Sequence, residues 1–262
     1  MLGGAVFYEI AEAAAILREY ARYALTAPDE LTTMAMLMAA PPAPFIPPAQ
    51  QGKPVVSIFL CYTGDLEQGE RVIAPLRKLG TVVADVIAPI PYPVMFAFTE
   101  EASRPGFAQY VRSLFAQTLS DKAIQVLVKE ASQSISPETM VQISILDSAM
   151  SRVPTDETAF AHWDKQAMIS VFDTEWQPGN RKHLARAEQL WHAISPYSEG
   201  CMYISSWMRG SNESTRPIHL RPTPVGGTQE QLRPNQSVSF EPEHHTNLVE
   251  KISGSEVGYQ AA

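Results

Sequence analysis

A chain of 262 residues with 45% hydrophobic and 18% charged residues has the make-up of a soluble globular protein, long enough for a sizeable core. Its net charge of −8 and pI of about 5.3 exclude an electrostatic fit to nucleic acid, which needs clustered Lys and Arg. No apolar run is long enough to span a bilayer, and Met1-Leu2-Gly3-Gly4 lacks the basic n-region of a secretory leader. Two distant cysteines, Cys61 and Cys201, read as buried thiols in a reducing, cytoplasmic compartment rather than as a disulfide framework.

Ala5–Tyr8 opens the chain as a strand with almost nothing before it, which hints at a partner preceding it. Residues 9–25 place Ile10, Ala14, Leu17, Ala21 and Ala24 at steps of four and three, the mark of an amphipathic helix. Pro28 breaks it, and Leu31–Met38 reads as a strand, although its Met and Ala content also suits a helix. A proline-rich connection, 41–54, leads to the stretch that organises the chain, Lys53–Gly80. There the β-branched and aromatic run Val55–Tyr62 predicts a strand ended by Thr63-Gly64. Asp65 stands as an N-cap, Pro75 predicts a kink or early end, and Gly80 closes the helix before strand character resumes at Thr81–Val86.

Three prolines fix the loop Ala88–Pro93, and a short helix is expected near Val94. Further strands are predicted at Tyr110–Phe115, Met140–Leu146, Gln166–Asp173 and Cys201–Ile204. Helices are predicted from Ser120 to about Ser132 and over Asn180–Ile194, the latter with Leu184, Ala187, Leu190 and Trp191 on its apolar face. Roughly seven strands and four helices, mixed rather than strictly alternating, predict an α+β fold: a large, mostly antiparallel sheet with helices on one face. From residue 207 onward large apolar residues thin out, and composition predicts a disordered tail over 207–262.

An ordered set of phrases carries a family likeness. Leu2–Tyr8, Ala27–Thr33, Pro41–Phe45, Gly52–Val56, Asp65–Glu70 before Pro75-Leu76-Arg77, Pro91-Tyr92 and Ala159–His162 together resemble the berberine bridge enzyme-like FAD-linked oxidases, of the p-cresol methylhydroxylase and vanillyl-alcohol oxidase superfamily. The resemblance covers residues 2–206. It implies the substrate-binding domain, a broad antiparallel sheet backed by helices that covers the flavin. The FAD-binding domain, with its flavin-linking His and Cys, would precede residue 1. FAD is therefore the cofactor the resemblance implies, a small molecule is the substrate, and the chain alone is expected to be an inactive fragment that does not hold FAD. The alternative is a stand-alone binding or assembly subunit that docks on a separately encoded FAD domain. With that domain missing, the sheet face that it would cover is expected to drive self-association.

The C-terminus departs from the family, whose members end in a segment like YGxxxxxLxxLKxxYDPxNxFRxNxNI. Reading one nucleotide later, permitted codons for Leu232–His244 yield YDPTNLFRLNPNI, and those for Leu220–Gln231 yield YGPHQWEELKNN. In the third frame Ser205–Arg209 permits FLDEG, the family's usual continuation. Two small frame disruptions near 205–215 account for the tail, so the domain is expected to end at about residue 206. Deletion of 210–262 is then expected to leave thermal stability unchanged.

Three residues stand out as site candidates. Tyr203 matches the tyrosine of the family's Tyr-x-Asn-(Phe/Tyr) strand, so the resemblance implies a base that deprotonates an alcohol as hydride passes to flavin. Ser205 and Ser206 replace the asparagine and the aromatic, and a core strand tyrosine is the alternative. Tyr92 suits either a substrate-lining role or ordinary loop packing. His162, beside Phe160 and Trp163, suits either a base or a satisfied structural histidine. His244-His245 point to opposite faces of any strand and have no third ligand at metal-site spacing, so no metal is expected. Asn212-Glu213-Ser214 matches a glycosylation acceptor without a secretory leader, and is set aside.

Overall fold

The computed structural model describes residues 1–98, 100, 108–146, 149–154, 157–158, 160, 162–175 and 184–198. Contacts divide the chain into Met1–Pro222 and Thr223–Ala262, and every described residue belongs to the first unit. The predicted strand at Cys201–Ile204, the tail and Cys201 itself lie outside the described residues.

Eight strands are described: β1 (Leu2–Glu9), β2 (Leu31–Ala39), β3 (Pro54–Tyr62), β4 (Val82–Asp85), β5 (Ala88–Pro89), β6 (Ala108–Ala116), β7 (Thr139–Ile145) and β8 (Ala167–Glu175). Four α-helices accompany them: α1 (Ala13–Ala24), α2 (Leu66–Ile73), α3 (Asp121–Ser134) and α4 (Leu184–Ile194). The strands form one sheet in the order β4-β1-β3-β2-β7-β8-β6, with β5 also on β1, and every described pair is antiparallel. The α+β class read from the sequence is the observed one.

Local chemistry explains the element ends. Asp65 accepts a hydrogen bond from the Gln68 amide at 2.9 Å, and Ser120 accepts one from Ala123 at 3.2 Å, so both caps satisfy an orphan donor worth about 1 kcal/mol. Pro75 lacks the amide hydrogen that would continue α2, and the chain tightens there into a 3-10 helix over Ala74–Lys78. The phenols of Tyr8 and Tyr23 donate to the carbonyl oxygens of Leu76 and Val72, which ties this segment to β1 and α1. Gly80 does follow that helix, yet the described glycines with left-handed backbone are Gly4 and Gly52. At Gly80 the chain passes close to α1 and the turn before it, where a Cβ would lie 2.5 Å from Glu12 Oε2 and 2.9 Å from Ile16 Cδ1.

The order of strands contains a repeat that spacing along the chain does not reveal. β1-α1-β2-β3-α2-β4 gives the spatial order β4-β1-β3-β2, a split β-α-β arrangement. β6-α3-β7-β8-α4 gives β6-β8-β7, the same winding. Among the described residues this second half has three strands. The halves join through β2 and β7, where Met36 pairs with Gln142. Phe7, Ser57 and Met36 of the first half thus correspond to Ser113, Ser170 and Gln142 of the second, on either side of a local two-fold axis.

Alternation along the strands divides the sheet into two faces. Val6, Tyr8, Ala35, Leu37, Val56, Ile58, Leu60, Leu114, Val141, Ile143, Ile169 and Val171 meet the helices in one continuous core. α1 contributes Ile16, Leu17 and Tyr20, α3 Ile124 and Leu127, and α4 Leu190, Trp191 and Ile194. Ile16 and Tyr20, fully buried, were absent from the predicted α1 face, whereas Ile10 and Ala14 are its partly buried margin.

Candidate functional site: the sheet face away from the helices

The odd-numbered positions of β1 and β3 and their register partners form the second face. One rank of directly paired residues crosses six strands: Phe7, Ser57, Met36, Gln142, Ser170 and Ser113. Mostly apolar ranks flank it. Ala5, Phe59 and Met34 lie on one side of the first half, and Glu9, Val55 and Met38 on the other. In the second half the flanks are Ser144, Met168 and Phe115, and Met140, Phe172 and Val111.

The hydrogen bonds along this rank are between neutral groups. Ser113 and Ser170 are buried and share a hydrogen bond of 2.7 Å between their hydroxyls. Ser57, also buried, donates weakly to the Met38 sulfur at 3.4 Å. Gln142 is half-buried and donates through Nε2 to Ser144 Oγ at 3.2 Å. Further along β8, the Thr174 hydroxyl is buried without a hydrogen-bond partner. Arg112 is the one Lys or Arg among the described strands, and it lies on the helix side, with its guanidinium over the rings of Tyr110 and Trp191.

Both ends of the second face are roofed. At the β1 end the 41–53 connection brings Ile46 into a small core with Ala5, Phe7 and Val55, and Phe45 packs 5.8 Å from Phe7. The 3-10 helix Tyr92–Phe98 closes over Gly3, where a Cβ would fall 2.7 Å from the Met95 sulfur, and Phe98 meets Phe59 at 5.9 Å. At the β6 end Phe115 stacks on the His162 ring at 4.5 Å and meets Phe160 edge-on at 5.9 Å.

The sequence candidates separate accordingly. Tyr92 begins the 3-10 helix rather than sitting in a loop, is 59% exposed, and packs edge-on against Phe96. His162 belongs to the aromatic cluster at the opposite end. Burial pushes its pKa below 6.5, partly offset by Asp164, so the stacked imidazole is neutral at pH 7. The Lys165 ammonium, 2.9 Å from Asp164, holds that carboxyl below its usual range. Five strand spacings, roughly 24 Å along the sheet, separate β1 from β6, so Tyr92 and His162 belong to the roofs at opposite ends of the face. Tyr203 lies outside the described residues, as do His244, His245 and Asn212. Cys61 is half-buried on the second face rather than in the helix-side core, and burial raises its thiol pKa. Among the described residues no cluster of His, Cys, Asp and Glu has metal-binding geometry, and no helix is long and apolar enough to cross a membrane.

The arrangement suits binding of a neutral group: it offers hydroxyls, an amide and thioethers, and no charged acid or base at its centre. The sequence did not single out Ser57, Gln142, Ser170 or Ser113. Alternation within each strand marks them as a face, but only the register brings them into one rank.

No family model matches the sequence, and no curated protein matches it. Solved structures do match in fold. A berberine bridge enzyme variant described as a reticuline dehydrogenase aligns with a TM-score of 0.60 and 16% identity, covering 76% of this chain and 41% of its own. Chitooligosaccharide oxidase aligns with a TM-score of 0.56 and 16% identity, covering 76% of this chain and 44% of its own. The 6-hydroxy-D-nicotine oxidase of Arthrobacter nicotinovorans gives 0.56 and 17%, covering 78% and 44%. The chain thus spans less than half the length of the structures it matches. The likeness to berberine bridge enzyme-like FAD-linked oxidases read from the sequence is matched by the fold, which is the fold of part of those enzymes.

Proposed function

We propose that this chain is the substrate-binding part of an FAD-dependent oxidoreductase that oxidises an alcohol, sugar or secondary metabolite. The observation that carries the reading is the antiparallel sheet with its helices on one side, a fold it has in common with the oxidases named above. The ordered family phrases over residues 2–206 support it independently.

The second face fits one portion of FAD. Its thioethers, aromatic rings and neutral hydroxyls suit a planar ring system. Among the described residues there is no Lys or Arg on that face, and no glycine-rich loop precedes a helix N-terminus to hold a pyrophosphate. FAD, when bound, supplies the hydride acceptor. The dinucleotide half calls for a separate FAD-binding domain, so in this reading the chain alone is inactive and works in the cytoplasm with that domain as partner. Tyr203 is the residue proposed to take the substrate proton, and Tyr92 and His162 are proposed to border the substrate from opposite ends of the face. Residues 207–262 are proposed as out-of-frame sequence that replaces the family's C-terminal segment.

The test is the visible spectrum of the purified chain with FAD, alone and mixed with a separately expressed FAD-binding domain of a berberine bridge enzyme-like oxidase. The expected result is no stoichiometric flavin band from the chain alone, and association with the added domain. A stoichiometric band bleached by substrate in the chain alone would overturn its inactivity in isolation. Failure to associate with any such domain would remove the partner from the reading.

A further inference from the structure

Three sulfur atoms gather under the roof at the β1 end of the sheet. The Cys61 thiol donates to the Met1 thioether, with Sγ and Sδ 3.8 Å apart. Cys61 pairs directly with Gly3 across β1 and β3, so both positions share one face, with Cβ positions about 5 Å apart. Gly3 has no side chain, and the Met95 sulfur takes that space, 2.7 Å from where a Cβ would stand. The Met95 sulfur therefore lies within about 8 Å of the Cys61 Cβ, a gap that the rotatable bonds of methionine can close.

The surroundings offer little else to a ligand. Ile90 packs over the same glycine, and the other direct partner of Cys61 in the sheet is the exposed Thr32. Among the described residues no group of three His, Cys, Asp or Glu side chains is placed to hold a metal, but thioethers lie outside that set. One thiolate with two thioethers is a donor set that selects soft ions such as Cu(I) over oxygen-seeking cations. Met1, Cys61 and Met95 are each half-buried, so a small ion can reach them from solvent. Burial raises the Cys61 pKa, partly offset by the N-terminal ammonium, so the free thiol is protonated at pH 7. A monovalent ion replaces that proton. The S–H bond breaks, a sulfur–metal bond forms, the proton leaves to water and no electron is transferred. Net charge at the site is unchanged, which a partly apolar setting tolerates better than an added charge.

We propose that Met1, Cys61 and Met95 form a binding site for a soft monovalent metal ion of the Cu(I) type. Cys61 is its thiolate ligand, and the two methionines are its thioether ligands. The site does not depend on the substrate-binding reading above.

The test titrates the reduced full chain against Cu(I) held by a coloured chelator, whose loss of colour reports uptake. Cys61→Ser should abolish this uptake and Met95→Leu should weaken it at least tenfold. Cys201→Ser and Met34→Leu should leave it unchanged, and circular dichroism checks that each variant keeps the fold. X-ray absorption of the loaded Cys201→Ser chain should show sulfur neighbours only, and a tenfold excess of Zn²⁺ should not displace the ion. No uptake by the parent chain, unchanged uptake in folded Cys61→Ser, or loss of uptake in folded Cys201→Ser would each overturn the proposal. Parent-like affinity in Met95→Leu would also overturn it, because a thiol alone would then account for the binding.

Discussion

The two faces of the same sheet are built to different rules. Facing the helices, strand positions such as Leu37, Val56 and Ile143 are 0% exposed and purely apolar. Facing away, adjacent positions of the same strands carry Met34, Met38, Met140, Gln142 and Ser144, all half-buried. The first face holds the fold together. The second tolerates polar and flexible side chains, because many of its positions keep some contact with solvent while roofing segments cover its two ends. Methionine suits such a surface, since its unbranched thioether adapts to different neighbours.

Paired substitutions on one strand break the comparison most directly. Leu37→Ala removes a fully buried side chain from the helix-side core and should cost about 3 kcal/mol of unfolding free energy. Met34→Ala, three residues away on the other face, should cost about 1 kcal/mol, because part of its surface already meets solvent. Urea denaturation of the two variants measures the difference. Equal losses would mean that the second face is as tightly packed as the first.

A titration sharpens the contrast from the helix side. Tyr20 is buried, and burial raises its phenol pKa from 10.0 to about 12, partly offset by its hydrogen bond with Thr33. A phenol raised in the fold stays neutral there while the unfolded chain ionises above pH 10. The stabilisation is complete below pH 10 and is lost as pH climbs toward 12. Tyr20→Phe should flatten this alkaline loss in a series of melting curves, and an unchanged slope would place the loss at other groups.

The smallest effect belongs to the roof of the second face. Burial lowers the His162 pKa below 6.5, so the unfolded chain protonates first as pH falls. Stability should therefore decline modestly as pH drops below 6.5, until the folded imidazole also protonates. The chemical shift of its ring protons should titrate below the value of a free histidine. A midpoint above 6.5 would mean that Asp164 outweighs burial.

Much of the architecture was legible because local signals agreed with one another. Val55–Tyr62, the Asp65 cap, the start of a helix at Ser120 and the break at Pro75 each appear where residue chemistry places them. Other details were not legible. The short strand Ala88–Pro89 pairs with Leu2 and Gly3, and no pattern of two residues announces a strand. Cys61 reads as a core residue because its run is apolar but for Ser57, and only the pleat decides that it points away from the helices. Tyr92 and His162 were singled out by residue type, and residue type carries no information about how far apart the fold sets them.

By itself, the sequence determined the element types, their caps and the α+β class, because these depend on neighbours within a few residues. The family likeness followed from the order of short phrases, which is also a property of the chain alone. Tertiary structure decided the strand order, the internal repeat and the rank from Phe7 to Ser113. Register joins residues more than 100 positions apart, as it does for Met36 and Gln142, and depends on how whole apolar faces meet.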